Sequence, residues 1–401
     1  MFIEKVKEFY PEMKAIREDL HRHPELSYQE VRTSAIVIEK LKEYGVDEVE
    51  QVWNTGVVAL IKGNRGNGKC IAIRADLDAL PVTEDTGLEY SSENPGVMHA
   101  CGHDLHVTTL LSVARLLCEN RDFKGCVKLI FQPAEEAANP KDPTGGALHM
   151  VEHGCLENPK VDAIIGLHVN PSYDKPGAFG LRKGIITSGF DIYRFDVHGK
   201  TAHGSQPHTG NDAVLAASQL IVMLQQVVSR NTDPLKTAIL TVGTINGGTA
   251  INVIPDYVYA GGVFRYYDND TAQVIKEHTM DIAKGVEAIS GCQIKVTALP
   301  GYRCVDNDGD MVDLCEDALK EELGEDAVFF MDEPASGSED FSYYSLCSGI
   351  PCSFMWLNTA PITGTELSPL HSSKCAMSSE SIKSGAAGLA SIAVKYLNSS
   401  K

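Results

Sequence analysis

Positive charge is in short supply in this chain. Its 401 residues carry 35 Lys and Arg against 54 Asp and Glu, a formal net charge of −19. That balance speaks against nucleic acid and anionic membrane surfaces as partners. A small anionic substrate stays open, because the charge at a site outweighs a global average. Also missing is an apolar run of about 18 residues, the length a bilayer span needs, so no membrane partner is expected. Met1 to Leu20 reads as a charged amphipathic helix and not as a signal peptide. The eleven cysteines are odd in number, scattered and without paired spacing. With no export signal, free thiols in a reducing cytoplasm are expected. Cys70, Cys118, Cys126 and Cys292 sit in apolar runs and read as core. There is no internal repeat, no low-complexity segment, and no CxxC or HExxH pattern.

What remains is the composition of a globular protein, 43% hydrophobic and 22% charged. The length exceeds one ordinary core, so two domains are the default. The first part alternates strand and helix patterns. Ile71 to Ile73, Val127 to Phe131 and Ala163 to Leu167 are short apolar runs suited to strands buried on both faces. Leu105 to Leu117 has helical periodicity, with Asp104 as a plausible N-cap. Such alternation implies an α/β sheet. The middle reads as strand Phe190–Val197, helix Asp212–Val228, strands Thr237–Ile245 and Tyr257–Phe264, helix Thr271–Ile289 and strand Gln293–Ala298. This β-α-β-β-α-β order is the split ferredoxin-like unit, inserted between about Gly180 and Pro300. After it the chain returns to α/β, with a strand at Pro351–Leu357 and a closing helix at Ser379–Tyr396.

Met98 to His106 reads Met-His-Ala-Cys-Gly-His-Asp-Leu-His, a density of metal-ligand types far above chance. Cys101 and His103 are two apart, so in an extended segment they point to one side. Thiolate with imidazole suits zinc and its late first-row neighbours. Four further places put ligand types at strand ends, where open α/β sheets bind their ligands. At Phe131-Gln-Pro-Ala-Glu-Glu136 a buried strand stops and two carboxylates follow. Adjacent residues diverge in direction, so Glu135 and Glu136 can hold different jobs, one binding metal and the other free to move a proton. A solvated helix N-terminus is the bland alternative. Ile164–His168 is a strand ending in histidine. His371 lies in a Pro- and Ser-rich loop. In Ile73-Arg-Ala-Asp-Leu-Asp78, Asp76 leaves a strand and could orient a ligand from behind. None of these is strong alone. Together Cys101, His103, Glu136, His168 and His371 exceed the three protein ligands of one catalytic zinc. Two metals sharing a bridge, ~3.5–4 Å apart, would use all five, with a free carboxylate as general base.

The motifs carry a resemblance. The chain resembles the M20 metallopeptidase family in its amidohydrolase branch, which includes aminoacylases, hippurate hydrolases, indole-acetyl-amino-acid hydrolases and N-acetyldiaminopimelate deacetylases. The markers, in order, are His21–Leu26, Arg74–Pro81, Met98–His106, Gln132–Glu136, Gly166-Leu-His168, Gly199-Lys-Thr-Ala-His203, Asn252-Val-Ile-Pro255, Gly337-Ser-Glu-Asp-Phe341 and His371. The resemblance implies a zinc-exopeptidase-like catalytic domain with a mixed sheet flanked by helices, residues 1–182 and 298–401. It implies that the inserted domain, 183–297, is a lid that also mediates a homodimer.

By the same resemblance, Cys101, His103, Glu136, His168 and His371 bind two divalent metals, and Glu135 is the general base and acid. His203 on the inserted domain helps hold the scissile carbonyl. Asn252 and Arg265 match substrate-contacting positions; their bland readings are turn chemistry and a surface ion pair. Peptidase relatives place a metal-binding His where Arg74 stands and a bridging Asp where Cys101 stands. Both differences point toward the amidohydrolases, and the mixed N, O and S ligands tolerate zinc, manganese, cobalt or nickel. The implied reaction is hydrolysis of an N-acyl amino acid. The alternatives are a dipeptidase or carboxypeptidase, a Cys101-based hydrolase, and a non-catalytic binding protein. The segment Asn139–Gly146 reads as a flexible loop near the site.

Overall fold

Apolar runs in the first and last thirds of the chain build one mixed sheet. The computed structural model describes residues 1–136, 142 and 144–399. Eight strands lie in the order Glu48–Gln51, Val57–Lys62, Cys126–Gln132, Cys70–Asp76, Ala163–Pro171, Cys352–Thr359, Phe179–Leu181 and Val328–Phe330. The four from Cys126–Gln132 to Cys352–Thr359 pair in parallel. Val57–Lys62 and Phe179–Leu181 flank them antiparallel. Every residue of Cys70–Asp76 and Cys126–Gln132 is buried, because helices cover both faces, as parallel strands require. The helices Phe2–Arg22, His103–Glu119, Gly309–Leu323 and Ser381–Asn398 pack against one another on one side. Shorter helices, Gly145–Glu152 and Ser342–Ser348, close the other around Ile130, Ile164, Phe341 and Phe354.

Strand Cys70–Asp76 sits between the two strands that follow it in the main sheet, Cys126–Gln132 on one side and Ala163–Pro171 on the other. The order therefore reverses at its carboxyl end, which opens a crevice there. The segments that carry the candidate ligands all leave the sheet at that crevice.

A second sheet, entirely antiparallel, is ordered Ala238–Gly247, Tyr257–Tyr266, Gly189–His198, Gln293–Pro300. Its chain order, with helices Ala213–Gln226 and Asn269–Ser290, is the expected β-α-β-β-α-β. Its core is its own, built on Phe195, Leu220, Phe264, Ile275 and Val286. Asp212 caps its helix by accepting from the Val214 and Leu215 N–H groups at 3.0 Å, which satisfies two of the orphan donors.

Three expectations are corrected. Asp104 does not cap the helix it was assigned to. The helix begins at His103, after Gly102, and Asp104 lies buried in its first turn, paired with Arg17 and His21 at 2.8 Å. Helix and strand ends generally run one to four residues past the apolar pattern, where polar residues continue the backbone bonding. One stretch, Ala213–Asn231, does have the length and apolarity of a bilayer span, with mean hydropathy 1.3. It reads so because it is apolar on two faces. Ala213, Ala216, Ala217, Leu220 and Leu224 are buried, while Val214, Leu215 and Val222 are exposed. Of the Asn139–Gly146 segment, residues 139–141 and 143 lie outside the described residues.

Candidate metal centre and active site

Cys101 and His103 converge by a different route from the extended one expected. Gly102 between them has φ +85°, a left-handed turn that glycine adopts freely. A Cβ there would stand 2.5 Å from Met377 Cε and 2.6 Å from Val169 Cγ2. The turn leaves Cys101 in the loop and makes His103 the first helical residue. Cys101 Sγ lies 3.3 Å from His168 Nε2. The His168 Nδ1 is 2.7 Å from the Val169 carbonyl, which assigns the proton to Nδ1 and leaves the Nε2 lone pair facing the sulfur. His371 has φ +65°. Its N–H donates to the Ala100 carbonyl at 2.9 Å, which docks its loop beside Cys101, and its Nε2 lies 3.0 Å from Glu136 Oε1.

The ligand atoms form two triads that share one member. Those of Cys101, His103 and His168 lie within 4.8 Å of one another, and so do those of Cys101, Glu136 and His371. The structure thus brings all five expected ligands together, with the thiol common to both groups. Glu135 joins from the interior, with Oε2 4.0 Å from His103 Nε2. It is 5% exposed, so the alternative of a solvated helix start is excluded.

Whether this set fits cations can be read from what is unsatisfied. His103 is fully buried, and among the described residues neither ring nitrogen has a well-aligned hydrogen bond, although Nδ1 faces Asp78 at 3.4 Å and Nε2 faces Glu135 at 4.0 Å; buried ring nitrogens left this way are costly. Burial pushes the Cys101 thiol well up, and Glu136, Glu135 and Asp76 add to it. Burial opposes protonation of His103, but Asp76 and Asp78 outweigh it and raise its pKa to about 10. Burial, with the carboxylates of Glu339, Glu136 and Asp340, lifts Glu135 well above the usual carboxylate range, against the pull of Arg74. Burial leads the Cys101 and Glu135 shifts, neighbouring carboxylates push all three groups the same way, and a divalent cation beside them would relax each. The residues fit a metal pair.

Behind the triads lies a layer of carboxylates, only part of which was expected. Asp76 is occupied twice over. It accepts from His106 Nδ1 at 2.6 Å and from Arg74 at 2.7 Å. His106 Nε2 in turn accepts the Val169 N–H at 2.9 Å, so His106 fixes the strand beside His168 and is not available as a ligand. Asp78 is nearer to His103 Nδ1, at 3.4 Å against 3.7 Å for Asp76. It also accepts the N–H groups of Glu135 at 3.1 Å and Glu136 at 2.9 Å. Sequence reasoning named Asp76 for the orienting role; Asp78, two residues on, shares the place beside His103. Glu339 and Asp340, quoted in a motif but without a role, both pair with Arg74 at 2.9 Å. The Tyr302 hydroxyl donates to the Glu135 carbonyl, a contact with no signal in the sequence.

Residues 72–395 match Peptidase family M20/M25/M40. The chain belongs to this family. Over 346 residues it is 42% identical to an N-acetyl-L-cysteine deacetylase of Bacillus subtilis, covering 86% of this chain and 79% of that protein. It is 36% identical over 397 residues to a hippurate hydrolase of Campylobacter jejuni, covering 98% and 99%. Among solved structures it superposes on Bacillus subtilis YXEP, a dinuclear metal-binding peptidase of the M20 family. The TM-score is 0.82 and the identity 34%, covering 98% of this chain and 99% of that one.

In this M20 protein the remaining candidates sit on the second sheet's layer. His203 is exposed and its Nδ1 lies 2.7 Å from the Ser205 hydroxyl; among the described residues no hydrogen bond, ion pair or ring contact joins it to the triads. Asn252 is an exposed turn residue whose carbonyl accepts the Gly204 N–H at 2.9 Å. Arg265 makes no ion pair among the described residues. It lies over the Phe190 ring and donates to Ser338 Oγ at 2.9 Å, next to Glu339. It therefore ties the second sheet to the loop behind Arg74.

Proposed function

We propose that this protein hydrolyses the amide bond of N-acyl amino acids at a two-metal centre held by Cys101, His103, Glu136, His168 and His371. The observation that carries this reading is the pair of triads sharing Cys101, with the buried Glu135 beside them. The deacetylase and hippurate hydrolase names of its relatives support the substrate class. Zinc, manganese, cobalt or nickel each suit the donors.

When bound, a pair of divalent ions supplies Lewis acidity for the amide carbonyl and acidifies a water. The chain's own residues do the rest. Glu135 takes the proton from the attacking water and delivers it to the leaving nitrogen as the C–N bond breaks and the new C–O bond forms. Asp78 holds the backbone of both glutamates in place. His203 steadies the carbonyl oxygen when the lid closes, and Asn252 contacts substrate from the same lid. Arg265 sets the lid against the Ser336–Ser338 loop.

We take residues 183–297 as a ferredoxin-like lid and dimerisation domain, and 1–182 with 298–401 as the catalytic domain. The free state of all eleven cysteines supports a reducing, cytoplasmic setting. The test is amine release by the metal-reconstituted protein from a panel of N-acetyl and N-benzoyl amino acids, with Gly-X dipeptides as a separate arm. Glu135→Gln keeps the size and loses the base, so turnover is expected to fall by about 10² or more with metal content unchanged. Near-normal turnover in that variant removes Glu135 from its role. Cleavage of the dipeptides alone replaces the reading with a dipeptidase.

A further inference from the structure

The turn that aims the two glutamates does not hold itself. It begins at Ala134, whose φ is +57°, left-handed backbone that a residue with a Cβ adopts only at a cost. Such a conformation persists where its surroundings over-determine it. Ala134 is fully buried, and its carbonyl accepts the Gly146 N–H at 2.9 Å. Its own N–H donates to Glu30 Oε1 at 2.8 Å, across 104 residues of sequence. Glu30 is itself fully buried. The same oxygen accepts the Tyr28 N–H at 3.0 Å, and Oε2 accepts the Thr55 hydroxyl at 2.7 Å. One carboxyl group thus joins three segments, and one of the three is the start of the catalytic turn. Downstream, Asp78 takes the next two N–H groups. Glu30 and Asp78 between them accept every backbone N–H from Ala134 to Glu136.

We propose that Glu30 is a positioning residue of the active site: through the Ala134 N–H it fixes the left-handed turn that points Glu135 at the reacting atoms and Glu136 at the metal pair. Among the described residues no hydrogen bond or ion pair joins it to the Glu135 or Glu136 side chain; its tie to the turn is the Ala134 N–H. The kinetic part of the test rests on the amidohydrolase reading; the metal part does not.

The full chain, loaded with zinc, is compared with Glu30→Ala, Glu30→Gln and the double variant Glu30→Ala/Ala134→Gly. Gln keeps an acceptor for Ala134 and Tyr28 while its amide turns to Thr55. Glycine adopts the left-handed turn freely. In Glu30→Ala the weaker zinc is expected to bind about tenfold less tightly by chelator competition, and kcat to fall by about tenfold or more, with KM nearly unchanged. Glu30→Gln recovers most of both, and Ala134→Gly recovers part. A lowered Tm with zinc affinity and kcat per metal-loaded protomer at wild-type values overturns the proposal. Should Glu30→Ala not fold, Thr55→Val removes one of the donors that hold the carboxyl. A loss in the same direction supports the proposal and wild-type values overturn it. A wild type that binds zinc but turns over no N-acyl substrate sinks the amidohydrolase reading, while the zinc comparison still decides the role of Glu30.

Discussion

Arg74 places one buried cation among Asp76, Glu339 and Asp340, at 2.7, 2.9 and 2.9 Å. Removing it leaves three carboxylates facing one another away from water. Arg74→Met is therefore expected to cost ~3–5 kcal/mol of stability, the usual penalty for breaking a buried pair from one side; urea unfolding measures it. A loss under about 1 kcal/mol would mean that the carboxylates take up protons and need no partner. Cys101 makes a second residue-scale prediction. A carboxylate there is a harder donor than a thiolate. Cys101→Asp is expected to keep both metals but shift preference from zinc toward manganese, read by elemental analysis after equimolar competition. An unchanged preference would show that the thiol does not set it. The candidate ligands were legible in the sequence only as a set: ligand chemistry restricts residue type, so Cys, His and Glu recurring in several separate segments stand out together although none is strong alone. Glu30 and Tyr302 were not, because a carboxyl or hydroxyl bonding distant backbone leaves no local pattern.

Helix Phe2–Arg22 holds the start of helix His103–Glu119, and so the place of His103, through a buried polar cluster. Arg17 and His21 both reach Asp104 at 2.8 Å, and His21 Nε2 lies 3.3 Å from Glu84. Burial opposes charge on His21, but Asp104 and Glu84 outweigh it and its pKa is raised. Burial likewise opposes charge on Glu84, yet His21 above all holds it down at about 2. The two shifts act in different windows. The His21 contribution is complete below the unfolded histidine value of about 6.5 and is lost as pH rises through the raised folded value. The Glu84 contribution is complete above its ordinary 4.5 and is lost as pH falls toward about 2. Both are whole between those limits, near pH 5 to 6. His21→Gln is expected to cost ~1.5–3 kcal/mol there, and the difference from wild type shrinks as pH climbs past the folded His21 value. A difference independent of pH would mean that folding leaves the His21 pKa unshifted. Periodicity located both helices, yet it misread Asp104 as a cap. An acid just ahead of an apolar run looks the same whether it caps a helix or pairs inside it, and only the partners on a distant helix tell the two apart.

At the scale of the whole molecule, among the described residues, the second sheet has an open edge at Ala238–Gly247 beside an apolar helix face that is exposed. Strand Ala238–Gly247 is ten residues long and has a neighbour on one side only, and such an edge invites pairing. Ile239 and Ile245 on it are 44% and 50% exposed, and Leu215 and Val222 on the adjoining helix are 56% and 71% exposed. Exposed apolar surface of this kind is what protein interfaces are built from, and a two-fold axis would set the edge against a second copy of itself. The strand-helix order of this layer was legible because each element carries its own amphipathic period. Its placement against the catalytic sheet was not, because the ties are single polar contacts such as Arg265 to Ser338, which have no period. The dimer expectation is tested where it is most exposed to failure. Leu215→Glu with Val222→Glu puts two charges on the uncovered stripe and leaves the buried face of the helix untouched. Sedimentation equilibrium is expected to give a dimer for the wild type and a monomer for the variant, with metal content the same in both. A dimer that survives both charges would place the contact elsewhere. A wild type that is monomeric at tens of micromolar would leave the stripe open for a different partner. If the variant is monomeric and turnover per metal-loaded protomer is kept, closure of the lid within one chain suffices to bring His203 to the substrate. If turnover is lost on dissociation, the lid needs the second copy to hold it in register.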